Sequence, residues 1–329
     1  MTELRILGTE DVRRLITHEE ALDLADTVFA DVGRGRARLS RPSAQWLDIE
    51  EGAQTSFKIK GATVPAASVA GFRLLAKSKP GGTPAVCNYT AIYSHDTGRL
   101  IGLVDESWLS RLRTAAMGVA ACRMLAPPSV KAVALFGTGQ IASEAVPLLN
   151  VAFPPEEVRV LSRRPESTKA FVERKNADMP FSVRAGASGE DMVKGADIVI
   201  ALTESKDPLV KPGWLKPGAV LCPLGSYNEV DFAVLAECDR FILDDMNYAL
   251  EIGDLCAWVR QGHIDAEGAA ARVDTTVGEV ACGKAKGRTT PDQRILAIVQ
   301  GIAAGDVMFG AHVLKRAAAE GVGAVVDLP

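Results

Sequence analysis

Six consecutive residues, Gly137-Thr138-Gly139-Gln140-Ile141-Ala142, constrain the fold of this 329-residue chain more than any others. They follow the apolar run KAVALF and open the stretch SEAVPLLNVA, so the pattern reads strand, glycine turn, helix. In that setting the first glycine permits a tight turn and the second lets the backbone approach a pyrophosphate. The small third residue, Ala142, lets helix and strand pack closely, and the helix start offers N–H groups to an anion. Gly137, Thr138, Gly139, Gln140 and Ile141 are therefore expected to hold a dinucleotide.

Later apolar runs, VRVLS, ADIVIAL, AVLCPLG and RFILDD, alternate with helical stretches. Such alternation predicts right-handed βαβ units and a parallel, doubly wound Rossmann-type sheet over residues 119–304. The second strand ends at Ser162-Arg163-Arg164, where a site for NAD usually places an acid on the ribose hydroxyl. Two guanidinium groups beside Ser162 suit a 2′-phosphate instead, so the expected cofactor is NADP, with NAD the alternative. Thr203, Gly225 and Ser226 fall at the carboxyl ends of strands, where contacts to a dinucleotide collect.

The remainder has a different texture. Thr17 precedes His18-Glu19-Glu20 and an apolar helical pattern, which predicts a capped N-terminal helix. From about residue 53 to 104, short alternating runs broken by Gly, Pro and His95-Asp96-Thr97-Gly98 predict a strand meander. A helix is expected from Ser110 to Leu125, ended by Pro127-Pro128, which reads as a hinge. The last 25 residues are expected to form one amphipathic helix packed back on the first domain. The expected organisation is a domain of residues 1–118 with 305–329, α+β in class, beside the Rossmann domain.

A net charge of −4, with Lys and Arg scattered, speaks against a nucleic-acid partner. The charged N-terminus and the lack of a long apolar run speak against a membrane partner and for a cytoplasmic protein. Six cysteines stand far apart and four histidines are dispersed, so neither a disulfide framework nor a metal site is expected.

The chain resembles the ornithine cyclodeaminase and mu-crystallin family over about residues 5 to 325. The likeness rests on Asp96-Thr97-Gly98, Asp105, Arg113-Thr114-Ala115-Ala116, Gly137-Thr138-Gly139-Gln140, Ala196-Asp197-Ile198-Val199, Gly225-Ser226, Gly283-Lys284 and Gly287-Arg288, in unbroken order. The resemblance implies a homodimer, with the first domain serving dimerisation and substrate binding. It also implies one of three roles: NAD(P)H-dependent reduction of a cyclic or linear 2-imino acid, or its reverse; an ornithine cyclodeaminase reaction that recycles NAD; or small-molecule binding without turnover. The first is favoured.

Arg113 falls on the family's substrate-carboxylate arginine, and a guanidinium at a helix start is a good bidentate clamp. Arg73 falls where most members place a lysine. It either anchors the carboxylate beside Arg113 or stabilises charge while another group handles the proton, because an arginine is a poor proton shuttle. Where cyclodeaminases carry the aspartate of a Gly-x-Asp turn, this chain has Gly225-Ser226-Tyr227, and a phenol is no base near neutral pH. Asp231, four residues on, is read as a helix cap. Arg41, Lys58 and Lys60 are softer candidates. Strand alternation puts the two lysines on one face, lining a pocket or facing solvent.

Overall fold

A computed structural model of the chain describes residues 2–48, 55–78 and 85–328. It divides into two compact units, Met1–Arg113 with Ile302–Pro329, and Thr114–Gly301. The division falls inside the helix Leu109–Leu125, ahead of Pro127-Pro128, where the helix has already ended.

The first unit is built on the strands β1 (Thr2–Leu7), β2 (Arg38–Leu39), β3 (Gln45–Asp48), β4 (Thr55–Val64), β5 (Val69–Ser78), β6 (Ala85–Ser94) and β7 (Leu100–Asp105). The sheet runs from the C-terminal strand Ala324–Leu328 through β1, β7, β6, β5 and β4 to β2, with β3 also on β4. Successive side chains point to opposite faces, and this sheet uses them differently. One face carries exposed Leu47, Phe57, Phe72 and Leu74. The other lies under the helix Ala303–Glu320, so closely that a Cβ on Gly71 would stand 3.1 Å from Val307. The first long helix, His18–Gly33, begins with a reciprocal cap: Glu20 N–H donates to Thr17 Oγ1 at 3.2 Å and Thr17 N–H to Glu20 Oε2 at 2.8 Å.

The C-terminal expectation needs correction. The helix stops at Glu320, where Gly321 (φ 68°) takes the left-handed conformation, and Gly323 (φ 89°) turns the chain again. Ala324–Leu328 then pairs antiparallel with β1, Thr2 opposite Leu328. Two glycines in positive φ followed by Val325-Val326 break a helical period and favour a strand.

The second unit contains β8 (Ala132–Phe136), β9 (Glu157–Leu161), β10 (Ser182–Ala185), β11 (Ile198–Ala201), β12 (Val220–Pro223), β13 (Arg240–Leu243), β14 (Thr275–Thr276) and β15 (Ile295–Ile298). They form one sheet in the order β10-β9-β8-β11-β12-β15-β13-β14, every neighbouring pair parallel. Strands β8, β11, β12 and β15 are buried along their whole length, as apolar runs covered on both faces must be. The chain winds outward from β8 to β10, then returns to β11 on the other side of β8, so the order reverses at the carboxyl ends of β8 and β11. The fold is a doubly wound α/β unit with an α+β unit.

Candidate functional site

In the first unit, Lys60, Arg73 and Thr90 stand in one row across β4, β5 and β6, each opposite the next. Direct cross-strand partners share a face, and this is the face covered by the helix Ala303–Glu320. That helix brings Asp306 down onto the row. Asp306 is fully buried. Its Oδ1 lies 2.7 Å from Arg113 Nε and 3.6 Å from Arg73 Nη1, and its Oδ2 lies 4.0 Å from Lys60 Nζ. The angle of the Arg113 contact is poor, leaving Nε and both Asp306 oxygens without a well-formed hydrogen bond. It is therefore an ion pair held by charge and packing. Arg73 is fixed further by Nε donating to Asn88 Oδ1 at 3.0 Å and Nη2 donating to Ser110 Oγ at 2.8 Å.

A second buried carboxylate joins them. Glu106 Oε1 accepts a hydrogen bond of 2.6 Å from Thr90 Oγ1. Burial, with the nearby charge of Asp306, pushes the Glu106 carboxyl up to about 7, against the pull of Arg73, the Thr90 hydroxyl and Arg113. Asp306 goes the other way: burial alone would raise it, but the charges of Arg113, Arg73, Lys60 and Lys58 outweigh that and hold it low. The cluster thus sets three basic side chains against Asp306 and a carboxyl that readily takes up a proton. Two guanidinium groups fixed side by side in this way can take the carboxylate of a bound molecule.

In the second unit, β8 delivers the chain to Gly137, whose φ of 107° and whose position 2.7 Å (at Cβ) from the Leu202 carbonyl exclude a side chain. Gly139 is the N-cap of the helix Gln140–Ala152 and its first turn has no side-chain cap, which leaves N–H groups for an anion. Ala142 is buried against the sheet. These features fit a dinucleotide pyrophosphate. Pro147 sits inside this helix and cannot donate to the Ser143 carbonyl. Lys175 Nζ donates there instead, at 2.8 Å. At the end of β9, Ser162 Oγ donates to the Arg164 carbonyl at 3.0 Å, while Arg163 and Arg164 are exposed.

Thr203 and Gly225, at the ends of β11 and β12, are tied together by a residue that the sequence reading did not single out. The Glu229 Oε1 accepts from Thr203 N–H and from Thr203 Oγ1, both at 2.6 Å, and Oε2 accepts from Gly225 N–H at 2.8 Å. Burial raises the Glu229 carboxyl despite these donors. Asp254 Oδ1 in turn accepts from the Glu229 and Val230 N–H groups at 2.7 and 2.8 Å, and burial beside Glu229 pushes it up to about 8.

The remaining expected residues are spread out. Ser226 and Tyr227 are exposed, with Lys206 Nζ 5.7 Å from the Tyr227 ring centre. Asp231 Oδ1 accepts from Ala233 N–H at 2.9 Å and caps the short helix Phe232–Glu237. Arg41 is exposed, and Lys58 is half-buried with Nζ 4.5 Å from the Trp46 ring centre. Asp306 carried one faint signal, an acid inside an apolar stretch, since such residues are seldom buried unless paired, whereas Glu106, between Asp105 and Ser107, carried none.

The sequence model of the ornithine cyclodeaminase/mu-crystallin family matches residues 5–321. The chain belongs to this family. An uncharacterized cyclodeaminase of Sinorhizobium fredii is 24% identical over 99% of this chain and 100% of its own. An archaeal alanine dehydrogenase dimer with bound NAD superposes with a TM-score of 0.90 at 24% identity, covering 99% of each chain. The Delta(1)-pyrroline-2-carboxylate reductase of Thermococcus litoralis, in complex with NADH and L-proline, gives a TM-score of 0.88 at 20% identity over 98% of this chain and 100% of its own. Family members therefore include reductases, dehydrogenases and cyclodeaminases on one fold, the fold seen here. Among the described residues no helix is long and apolar enough to cross a membrane.

Proposed function

We propose that this chain reduces the C=N bond of a 2-imino acid to an amino acid with a reduced nicotinamide dinucleotide, and catalyses the reverse oxidation. The observation that carries the reading is the pair of guanidiniums, Arg113 and Arg73, gathered at buried Asp306 in a chain that also bears the Gly137 turn. Arg113 and Arg73 hold the substrate carboxylate, and the bound cofactor supplies or accepts the hydride. Gly137, Thr138, Gly139, Gln140 and Ile141 receive the pyrophosphate, and Thr203, Gly225 and Ser226 border the cofactor. Exposed Arg163 and Arg164 beside Ser162 favour NADP. Against the cyclodeaminase reading stand Tyr227 in place of a carboxylate and the engagement of Asp231 as a helix cap.

The test is the loss of absorbance at 340 nm with NADPH, then NADH, across cyclic and linear 2-imino acids. Consumption of cofactor in step with product supports the reading, and Arg113→Ala then removes it. Ammonia released from ornithine without net cofactor change, or no turnover at all, overturns it.

A homodimer is proposed on the open sheet face of the first unit. Phe72 is 46% and Leu74 41% exposed there, and Phe72 packs edge-on to Tyr93 with ring centres 6.0 Å apart. An apolar face of that kind marks an association surface. Light scattering of Phe72→Lys against the unaltered protein checks it: a monomeric variant supports this face, and an unchanged mass removes it.

A further inference from the structure

The cluster around Asp306 has three basic side chains, and they differ in whether they can give up a proton near neutral pH. Arg73 and Arg113 are guanidiniums and stay charged. Lys60 is an amine. It stands directly opposite Arg73 on the neighbouring strand, is 3% exposed, and holds its Nζ 4.0 Å from Asp306 Oδ2. We propose that Lys60 is the proton-exchanging residue of the site, donating to the imine nitrogen of a substrate whose carboxylate is held by Arg113 and Arg73. The inference rests on the reductase reading.

In the step, the Nζ–H bond breaks and its proton goes to the imine nitrogen. The π pair of C=N becomes the new N–H bond, and hydride from the reduced nicotinamide, the co-reactant, forms the new C–H bond. Carbon is reduced and the cofactor oxidised; water then reprotonates the neutral amine. In the reverse direction neutral Lys60 takes the proton from the amino group. Arg73 in this arrangement anchors and polarises, and the amine one strand away does what a guanidinium cannot.

The surroundings of Nζ favour such exchange. Burial pushes the Lys60 amine well below the ordinary lysine range; Asp306 from the covering helix opposes this, and Arg113, Lys58 from its own strand and Arg73 from β5 reinforce it. Glu106, also in the cluster, is the competing titratable group. As an acid Lys60 acts while protonated, so imine reduction is expected below its titration point and lost as pH rises through it.

Two measurements test this on the full chain with oxidised dinucleotide present or with the complete assay. In the first, carbon-13 at the lysine Cε is followed by NMR across pH, the Lys60 signal being the one absent from Lys60→Arg. A midpoint below about 9, against about 10.4 for an ordinary lysine, supports the proposal, and one at or above the ordinary value overturns it. In the second, Lys60→Arg and Lys60→Met are expected to lose about 10²- to 10⁴-fold in kcat, the usual share of a general acid. KM should change little, and the alkaline fall of rate should vanish. Retention of more than about a tenth of kcat overturns the proposal. So does an alkaline fall that survives in Lys60→Arg and disappears in Glu106→Gln. If the unaltered protein reduces no imino acid, the reductase reading fails, and the NMR midpoint still decides whether Lys60 can exchange a proton.

Discussion

The two units place their functional groups by opposite strategies. The Rossmann unit makes its proposed pyrophosphate turn from backbone: Gly137 needs its positive φ, Gly139 opens a helix, and the residues of that turn are consecutive. The first unit makes its site from side chains delivered by four distant segments, Lys60, Arg73, Arg113 and Asp306, on two strands and two helices. A backbone site is written locally and tolerates changes elsewhere. A side-chain site depends on register and packing, and each buried charge is stable only while its partners remain.

That contrast can be broken first at Asp306. Removing one member of a buried ion-paired group costs about 3–5 kcal/mol, so Asp306→Ala is expected to lose about that much in urea unfolding, with three basic groups left facing one another. A loss below about 1 kcal/mol would mean that the cluster is well hydrated and behaves as exposed ion pairs do. Next is Gly137→Ala. An alanine forced to positive φ costs on the order of 2 kcal/mol, and its Cβ would press on the Leu202 carbonyl. The thermal shift produced by NADPH should vanish in this variant while the fold survives, and a normal shift would detach the turn from cofactor binding. The smallest effect is expected at Lys175→Met, which keeps the stem but leaves the Ser143 carbonyl without its donor. About 1 kcal/mol should be lost; a neutral outcome would mean that water replaces the ammonium.

The same contrast explains what the sequence made legible. The turn at 137–142, the alternation of strand and helix after it, the Thr17 cap and the meander were readable because each is encoded within a few residues. The strands β10, β14 and β15 carried no comparable signal. Their short runs take their meaning from neighbours such as β9 and β13, to which they pair. The C-terminal strand was hidden by a long helical pattern, although Gly321 and Gly323 mark its start. Within the candidate site, Arg113 and Arg73 came from family resemblance, and Lys60 was left open between pocket and solvent because alternation gives a face without saying what covers it. Asp306 meets Lys60, Arg73 and Arg113 from the far end of the chain, Glu106 meets Thr90 16 residues away and Glu229 meets Thr203 26 residues away, and no local rule reaches that far.

The row Lys60–Arg73–Thr90 has a consequence for insertions and deletions. Because side chains in a strand alternate, removing a single residue within β4 ahead of Lys60, with the pairing of β4 to β5 otherwise kept, would exchange its two faces for every position on that side of the cut. Phe57 would then be driven onto the covered face and Lys58 would emerge among the exposed side chains, while Lys60, beyond the cut, keeps its place opposite Arg73. Over this strand, parity of length is a stricter constraint than residue identity. Within β4, gaps should come in twos or not at all.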